Sequence, residues 1–262
     1  MEGKMFIAAA VAATMMSACS APKGPQTVAH RGYWDMEGSA QNSIESLRQA
    51  GEHGFYGSEF DVYATPDGEF VINHDDMFHG MNLYTTPYEE YRDSTLSNGE
   101  KISTLDQYLA EFRKYPKLQL VFELKSKGDP EYEARAIPGI LAKLDEYGLA
   151  GRTDFICFSL TACQAVAKAR PEMMVEYLNG DLSPAELAPM GILGIDYHIS
   201  VFQNHPEWVK EAHGLGMTVN VWTVNDEEDI DEMLALGVDY ITTNAPELSE
   251  ALIEKMADHQ SS

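Results

Sequence analysis

The sequence predicts an α/β protein built as a closed (β/α)8 barrel, with a small insertion after a hairpin at its second strand. Two observations support this fold class. Short apolar strands alternate with helical segments along the chain, and eight strands can be counted. The late units repeat with short loops and no glycine-rich dinucleotide loop is present, which disfavours the alternative of an open doubly wound sheet. A chain of 262 residues, 44% hydrophobic and 23% charged, suffices for one such domain.

The predicted strands and helices follow one another in regular order. The strands are predicted to begin at Thr27, Ser58, Leu118, Asp154, Met174, Gly194, Thr218 and Tyr240. The helices are predicted over 43–53, 105–112, 130–147, 160–170, 183–190, 206–215, 226–236 and 246–257. Two helix starts carry capping signals. Asn42 precedes the first helix, with Glu45 three residues on as a capping box, and Asn225 precedes the helix that Gly237 closes.

A β-hairpin is predicted within residues 57–76. Residues 58–63 are rich in aromatic and β-branched side chains, as strands are. The turn 65–68 follows, with a proline that sets φ and a glycine that tolerates positive φ. Residues 70–74 then form the returning strand.

The first strand of this hairpin places two acidic residues side by side. Because side chains alternate along a strand, Glu59 and Asp61 share one face, while Phe60 and Val62 share the other. If the apolar face packs against helices, the carboxylates point to the middle of the sheet, where a divalent cation would compensate their charge. His74, at the end of the stretch, is suited to proton transfer. The alternative is an exposed edge strand with His74 at its end.

Residues 77–101 interrupt the alternation of strands and helices. The segment is too long for a simple connection between the hairpin and the helix at 105–112. Its position after His74 would let it lean over the site and take part in substrate selection. The alternative is a surface excursion whose tyrosine and methionine side chains pack on the barrel rim.

The N-terminus, residues 1–19, resembles a bacterial lipoprotein signal peptide. A basic start precedes an apolar run from Met5 to Met16, and small residues lead to Cys19. The run is too short for a permanent transmembrane helix. The pattern predicts an exported protein that a lipid on Cys19 anchors to a membrane, facing the periplasm or the cell surface. Residues 20–26 would be the linker and 27–262 the single domain; the alternative is a cleaved signal for soluble secretion.

Charge and cysteine usage exclude two classes of function. Lys and Arg total 18 against 42 Asp and Glu, for a net charge of −24, which argues against nucleic acid as a partner. Cys157 and Cys163 fall on a predicted strand and the next helix and are expected to be buried thiols. No zinc-ligand spacing is present.

The candidate functional residues lie at the ends of predicted strands. The first strand ends in Ala29-His30-Arg31-Gly32, and on the third strand Glu123 and Lys125 share a face. Catalytic residues of a (β/α)8 barrel lie at the C-terminal ends of its strands. The residues expected to meet there are His30, Arg31, Glu59, Asp61, His74, Glu123 and Lys125.

In these residues the chain resembles the glycerophosphodiester phosphodiesterase family, of the phosphatidylinositol-phospholipase-C-like barrel superfamily. The matching segments are H-R-G at His30, E-F-D-V at Glu59, T-x-D-G at Thr65, H-D at His74, I-S-T-L at Ile102, E-L-K at Glu123, V-W-T-V-N at Val221 and the ending G-V-D-Y-I-T-T-N-A-P. They cover nearly all of the predicted mature chain in the order of the family. The resemblance implies a TIM barrel that hydrolyses small glycerophosphodiesters to glycerol 3-phosphate and an alcohol.

The resemblance also implies the metal and phosphate ligands. Glu59, Asp61 and Glu123 would hold one divalent cation, Ca²⁺ or Mg²⁺, which polarises the phosphoryl group. Arg31 and Lys125 would bind the phosphate oxygens, Arg as a fork and Lys as a point charge.

Proton transfer would fall to His30 and His74, with the glycerol 2-hydroxyl as nucleophile and a cyclic phosphate as intermediate. Our hypothesis from the sequence makes His30 the acid and His74 the base. Trp222 is predicted to face the barrel interior near a strand end, as a wall for the glycerol or the headgroup; the alternative is core packing.

Two positions depart from the family pattern. The usual P-E-N after the first His is Ala40-Gln41-Asn42 here, which removes a negative charge near Arg31. The Asp of the closing segment is Asn244. One alternative is a binding lipoprotein without turnover, for which Gln41 is the only supporting feature and against which the retained histidines and acids argue. A second alternative is an inositol-linked or wall-linked diester as substrate. The leaving alcohol, the native metal and the oligomeric state are left open.

Overall fold

The computed structural model describes residues 24–260. In this range the strands are β1 (Gln26–Ala29), β2 (Gly57–Ala64), β3 (Phe70–Ile72), β4 (Met77–Phe78), β5 (Met81–Asn82), β6 (Gln119–Leu124), β7 (Thr153–Cys157), β8 (Met174–Tyr177), β9 (Gly194–His198), β10 (Thr218–Trp222) and β11 (Tyr240–Thr243). The α-helices are α1 (Ile44–His53), α2 (Leu105–Phe112), α3 (Pro130–Glu146), α4 (Leu160–Ala169), α5 (Pro184–Leu187), α6 (Ile199–Asn204), α7 (Glu207–Gly214), α8 (Glu227–Leu236) and α9 (Pro246–Gln260).

Eight parallel strands close into a barrel. Neighbours pair in the order β1, β2, β6, β7, β8, β9, β10, β11, and β11 pairs again with β1. The register at closure sets Val28 beside Thr242 on one side and beside Gly57 on the other. The predicted (β/α)8 barrel is therefore confirmed. The hairpin is confirmed as well, because β3 pairs antiparallel with β2, with Val62 opposite Ile72.

Alternating side chains divide the strands between an outer and an inner layer. Phe60 and Phe122 are neighbours in register, fully buried, and pack in the main hydrophobic core with the surrounding helices. The alternate positions point into the barrel, where Val28, Val121 and Tyr240 belong to a separate apolar cluster. This alternation carries Glu59, Asp61 and Glu123 inside.

Two helix starts differ from the sequence prediction. Ser43, not Asn42, caps α1, since its hydroxyl accepts the backbone N–H of Ser46. Asn42 has φ of 59° and turns its side chain toward the barrel. At α8 the cap is Asp226, because the side chain of Asn225 is engaged with the loop after β11. A short polar side chain that has a tertiary partner no longer serves the adjacent helix.

Several predicted elements have different limits. The returning strand of the hairpin ends at Ile72, so His74 lies in the following loop. The helix predicted over 183–190 is the short α5 followed by a 3₁₀ turn, Ala188–Met190. Helix α6 directly follows β9 and was not predicted.

The insertion, residues 77–101, has a small core of its own. It contains the β4–β5 hairpin and a 3₁₀ turn, Tyr88–Glu90. A separate cluster of buried side chains joins it to the outer face of the β2–β3 hairpin; its members are Tyr63, Val71, Phe78, Leu83, Tyr91 and Ile102. The insertion is therefore packed on the barrel beside the loop that carries His74.

The signal peptide predicted over 1–19, with Cys19, lies outside the described residues. Within residues 24–260 no helix combines the length and hydrophobicity that crossing a bilayer requires. Cys157 and Cys163 are free and buried, as predicted.

Candidate active site

Three buried carboxylates form the centre of the site. Glu59 and Asp61 come from β2 and Glu123 from β6, and the register pairs Asp61 with Glu123. Their ligand oxygens lie within 4.8 Å of one another, and the residues are 3%, 1% and 8% exposed. Like charges this close together and this well excluded from water repel one another strongly. The cluster therefore requires a cation or bound protons.

Lys125 supplies one positive charge to this cluster. Its Nζ lies 2.8 Å from Glu123 Oε1 and 3.0 Å from Asp61 Oδ1. The second contact is ionic without hydrogen-bond geometry, so the buried Oδ1 of Asp61 accepts no hydrogen bond within the described chain. An all-oxygen donor set with a buried unsatisfied oxygen fits a hard divalent cation. The three carboxylates could hold such an ion.

The strand β1 delivers His30 and Arg31 to the same face. Arg31 has φ of 59°, and its backbone N–H donates to Glu59 Oε2 at 2.7 Å. Gly32 follows with φ of 76°, and a Cβ at this position would lie 2.4 Å from Ser46 Oγ. The turn therefore requires glycine at position 32 and holds Arg31 in a left-handed conformation, which is strained for a side chain of this size.

The Arg31 guanidinium is only partly used by the protein. Its Nη1 donates to Gln41 Oε1 at 2.6 Å, so the amide at position 41 still accepts from the arginine. Its Nε is buried, 3.9 Å from Asp61 Oδ2, and has no hydrogen-bond partner among the described residues. The guanidinium thus keeps donor capacity that the described residues do not use.

Asn42 fixes the central carboxylate from the outside. Its Nδ2 donates to Asp61 Oδ2 at 2.8 Å, and its Oδ1 accepts the backbone N–H of Asp61 at 3.1 Å. The sequence pattern predicts a helix cap at this residue and gives no indication of its contact with Asp61. The available signal was its identity, since Asn42 is the one residue of Ala40-Gln41-Asn42 that agrees with the P-E-N motif of the family.

His30 is held by an amide on the far end of the chain. Its Nδ1 lies 2.8 Å from Asn244 Oδ1, and the indole N–H of Trp34 donates to the same oxygen at 3.1 Å. Its Nε2 faces Glu59 Oε2 at 3.9 Å. The sequence identified Asn244 as a departure from the family but not as a partner of His30, and it gave no role to Trp34.

His74 lies in the loop after β3 and is half-buried. Its Nδ1 is 2.8 Å from Asp75 Oδ1, and its backbone carbonyl accepts the hydroxyl of Tyr63 at 2.8 Å. The adjacent Asp76 pairs with Lys127 at 2.7 Å. The loop that carries the second imidazole is therefore tied both to the barrel and to the loop after β6.

Burial and neighbouring charges shift the pKa values of the acidic groups in the site. Burial, together with Asp61, raises the pKa of Glu59, and the same causes raise that of Glu123 to about 7. Burial alone would raise the pKa of Asp61, but Lys125, His74 and Asn42 lower it below its usual value. The proton-binding groups of the cluster are thus Glu59 and Glu123.

The bases respond to the same surroundings. Burial, and then Arg31, lowers the pKa of His30 to about 4. Burial also lowers the pKa of His74. Burial opposes the charge of Lys125, but Asp61 and Glu123 raise its pKa above the ordinary value. Lys125 is therefore charged, while both imidazoles are neutral at pH 7 without further ligands.

Trp222 stands at the mouth of the barrel. Its indole N–H donates to the carbonyl of Asp196 at 3.0 Å, and its ring makes edge contacts with Phe158 and His198. Phe158 is 38% exposed, so this aromatic group borders solvent. These contacts place Trp222 beside the ends of β7 and β9 at the mouth of the barrel, and its role as a wall for the substrate stays a prediction.

The structure brings the predicted residues together. Side chains from β1, β2, the loop after β3, and β6 meet at the C-terminal mouth of the barrel; they are His30, Arg31, Glu59, Asp61, His74, Glu123 and Lys125. Two imidazoles, two fixed cations and a carboxylate cluster can supply the proton transfer and charge stabilisation for phosphate-ester hydrolysis. Fold and site together define a barrel phosphodiesterase.

The comparisons identify the family. Residues 30–248 match the glycerophosphoryl diester phosphodiesterase family, and the chain belongs to it. It is 30% identical over 244 residues to the glycerophosphodiester phosphodiesterase of Caldanaerobacter subterraneus subsp. tengcongensis. This alignment covers 87% of this chain and 97% of that protein. The chain is thus a glycerophosphodiester phosphodiesterase and a phosphoric diester hydrolase.

Solved structures agree with this assignment. A crystal structure of a glycerophosphodiester phosphodiesterase from Parabacteroides distasonis has a TM-score of 0.88 at 46% identity and covers 89% of this chain and 98% of its own. A phosphodiesterase from Oleispira antarctica, solved with the product sn-glycerol-3-phosphate, has a TM-score of 0.75 at 25% identity. The match covers 88% of this chain and 97% of that one. The predicted fold class and family are confirmed.

Proposed function

We propose that the protein hydrolyses glycerophosphodiesters with one divalent cation, Ca²⁺ or Mg²⁺, held by Glu59, Asp61 and Glu123. The observation that carries the proposal is the buried triad with the unsatisfied Asp61 Oδ1. A bound cation would polarise the phosphoryl group and neutralise charge that develops on it. The product-bound Oleispira antarctica relative supports glycerol 3-phosphate as the released product.

Arg31 and Lys125 orient the phosphate. The guanidinium of Arg31 donates to one phosphate oxygen while Gln41 holds its Nη1. Lys125, anchored between two carboxylates, acts as a point charge at the opposite side. An amide at position 41 leaves Arg31 without the ionic partner that a glutamate would provide, so more of its charge is available to the substrate.

His30 serves as the general base. Because the indole of Trp34 is only a donor, the Asn244 atom that it contacts is the carbonyl oxygen, and His30 Nδ1 must donate to that same oxygen. The proton on Nδ1 leaves Nε2 with its lone pair. We place the glycerol 2-hydroxyl at this nitrogen, which takes its proton as the oxygen attacks phosphorus.

His74 serves as the general acid. The carboxylate of Asp75 contacts its Nδ1 and favours the protonated form of the ring, which is the minor form at pH 7; this form gives its Nε2 proton to the leaving alcohol. Water then opens the cyclic phosphate with the two roles reversed. This assignment is the opposite of the hypothesis made from the sequence, and it follows from the different hydrogen-bond partners of the two rings.

A change of leaving group tests the assignment. The leaving group of glycerophospho-4-nitrophenol needs no proton. The factor by which His74→Ala lowers kcat should therefore be smaller with this substrate than with glycerophosphocholine, by about 10²-fold or more. His30→Ala should lose activity equally on both substrates. Rescue of His30→Ala in place of His74→Ala would restore the sequence-based assignment.

The reaction itself is tested on glycerophosphocholine, glycerophosphoethanolamine and glycerophosphoinositol, each with Ca²⁺, Mg²⁺ or EDTA. We expect metal-dependent release of glycerol 3-phosphate that disappears in Glu59→Ala. Release that persists unchanged in EDTA would remove the metal from the proposal.

We also propose that the protein is exported and anchored to a membrane through a lipid on Cys19. The support is the sequence pattern of residues 1–19. Expression with a radiolabelled fatty acid should label the wild type and leave Cys19→Ala unlabelled. Equal labelling of both, or a wild type that is neither labelled nor found with membranes, would contradict the anchor.

A further inference from the structure

The main chain around His74 is held by β2, the strand that carries two carboxylates of the triad. The backbone N–H of Asn73 donates to the carbonyl of Asp61 at 3.1 Å. The hydroxyl of Tyr63 donates to the carbonyl of His74 at 2.8 Å. Asp61 and Tyr63 are two residues apart on β2, so their side chains lie on the same face of the strand. The strand β2 therefore holds the chain on both sides of the His74 side chain.

The ring of Tyr63 is fixed by the core of the insertion. It is 3% exposed and belongs to the buried cluster that joins the insertion to the β2–β3 hairpin. Tyr84, from the insertion, contacts it edge-on, with 5.0 Å between the ring centroids. Burial raises the pKa of the Tyr63 phenol, so the hydroxyl stays protonated and remains a donor. The packing of the insertion thus determines where this donor lies.

The other side-chain contacts of the His74 loop lie at the surface. The side chain of Asp75, which contacts His74 Nδ1, is 77% exposed. The side chain of Lys127, which pairs with Asp76, is 64% exposed. Surface ion pairs constrain a loop weakly because water competes for both partners. The hydrogen bond from Tyr63 differs from them, because its donor is a buried side chain on a rigid strand.

The position of the His74 main chain matters for the proposed reaction. A general acid must come within about 3 Å of the oxygen that it protonates. A misplacement of about 1 Å can lower the rate by about 10²-fold. A contact that fixes the carbonyl of His74 therefore acts on the rate of proton transfer, although its donor does not touch the substrate.

We infer that Tyr63 is a positioning residue for His74: its hydroxyl sets the place of the imidazole relative to the metal triad, and the insertion keeps the hydroxyl in place. The inference rests on the proposed function, in which His74 transfers a proton. It gives the insertion, residues 77–101, a role in catalysis that requires no contact with the substrate.

The test is Tyr63→Phe, which keeps the ring and removes only the hydroxyl. Its kcat on glycerophosphocholine should fall by about tenfold, with KM changed by less than about twofold. In the His74→Ala background the same substitution should change kcat by less than about twofold, because there is no imidazole left to position. The control is Tyr91→Phe. Tyr91 is buried in the same cluster, but its hydroxyl has no hydrogen-bond partner within residues 24–260, so kcat should stay unchanged.

Two kinetic results would overturn the inference and leave the reaction intact. One is a Tyr63→Phe enzyme with the kcat of the wild type. The other is a loss of kcat that is equal in the presence and in the absence of His74, since such a loss acts through another part of the protein.

A readout without turnover separates this inference from the proposed reaction. In NMR spectra of the metal-free protein labelled at histidine, His74→Ala identifies the His74 imidazole signal. Tyr63→Phe should shift that signal and leave the signal of His30 in place, while Tyr91→Phe should shift neither. A protein that hydrolyses no diester but shows this selective shift would overturn the reaction and retain the positioning contact. A His74 signal that Tyr63→Phe leaves unchanged would overturn the inference.

Discussion

Replacing Glu123 by Gln should change the stability of the protein in opposite directions with and without a divalent cation. The oxygens of the triad lie within 4.8 Å of one another. Two unit charges at that separation repel by about 3.5 kcal/mol at an effective dielectric constant of 20. Lys125 offsets part of this repulsion, yet the pKa of Glu123 still rises to about 7. Ionised Glu123 is therefore unfavourable in the metal-free folded protein.

The magnitude follows from that pKa and from binding linkage. At pH 8 without metal, the neutral Gln avoids a cost of about 3 kcal/mol for the ionised carboxylate, so Glu123→Gln should be more stable than wild type by about 1–3 kcal/mol. Calcium at 100 times its Kd should raise the free energy of unfolding of the wild type by about 2.7 kcal/mol, or its Tm by about 5–10 °C. We call this gain in unfolding free energy the calcium increment. In Glu123→Gln, which lacks one ligand charge, the calcium increment should fall below about 0.5 kcal/mol.

Urea denaturation in EDTA and in Ca²⁺ measures both quantities. Glu133→Gln is the matched control, since Glu133 is also buried but accepts only from the hydroxyls of Ser126, Ser159 and Thr161. It should lose stability in both conditions and keep the calcium increment of the wild type. A Glu123→Gln protein with the full increment would refute the assignment of the triad as the metal site.

Three further predictions concern the groups around the triad. In a urea titration, Gly32→Ala should lose about 3 kcal/mol or more of unfolding free energy, because the added Cβ would meet Ser46, and it should lose activity as well. The control is Gly38→Ala, where φ is 79° and the space around the glycine is open, and it should lose only about 1 kcal/mol. Burial raises the pKa of Asp154 to about 7, so the folded protein binds more protons than the unfolded chain between about pH 4 and 7. The contribution of Asp154 to the stability of the metal-free protein should therefore fall by about 2–4 kcal/mol as pH rises from 4 to 8. Asp154→Asn should gain that much stability relative to wild type over this range, and a stability difference that does not change with pH would contradict this assignment. Asn42→Ala removes both hydrogen bonds to Asp61 and should weaken calcium binding, measured by calorimetry, by about tenfold or more. Asn98→Ala should leave calcium binding unchanged, because the amide of Asn98 is hydrogen-bonded to Gly38 and Glu100 on the surface.

The sequence was most informative where chemistry follows strand periodicity. Glu59 and Asp61 are two residues apart on one strand, and Glu123 and Lys125 are two residues apart on another, so each pair had to share a face. The apolar residue between the two members of each pair indicated which face of the strand packs against the surrounding helices. The order of strands and helices then predicted the barrel, and the barrel predicted that these pairs meet at one end.

The sequence was least informative where a short polar side chain had two possible partners. Asn42 and Asn225 both precede helices, and local rules assign such residues to helix caps. In the structure each one binds a residue distant in sequence, Asp61 and the loop after β11, and the next residue caps the helix. Tertiary contacts decide between such alternatives because the local capping energy is only about 1 kcal/mol.

The sequence by itself determined the barrel, its catalytic end, the carboxylate triad and the cationic and imidazole groups around it, because alternation along strands is a local property. Only the tertiary structure decided what each imidazole touches. Asn244 and Trp34 lie 214 and 4 residues from His30, and no local pattern joins them. The structure also placed the insertion beside loop 34–41, with a cavity between them. The contact between His30 and Asn244 depends on barrel closure, which brings β1 and β11 together from opposite ends of the domain.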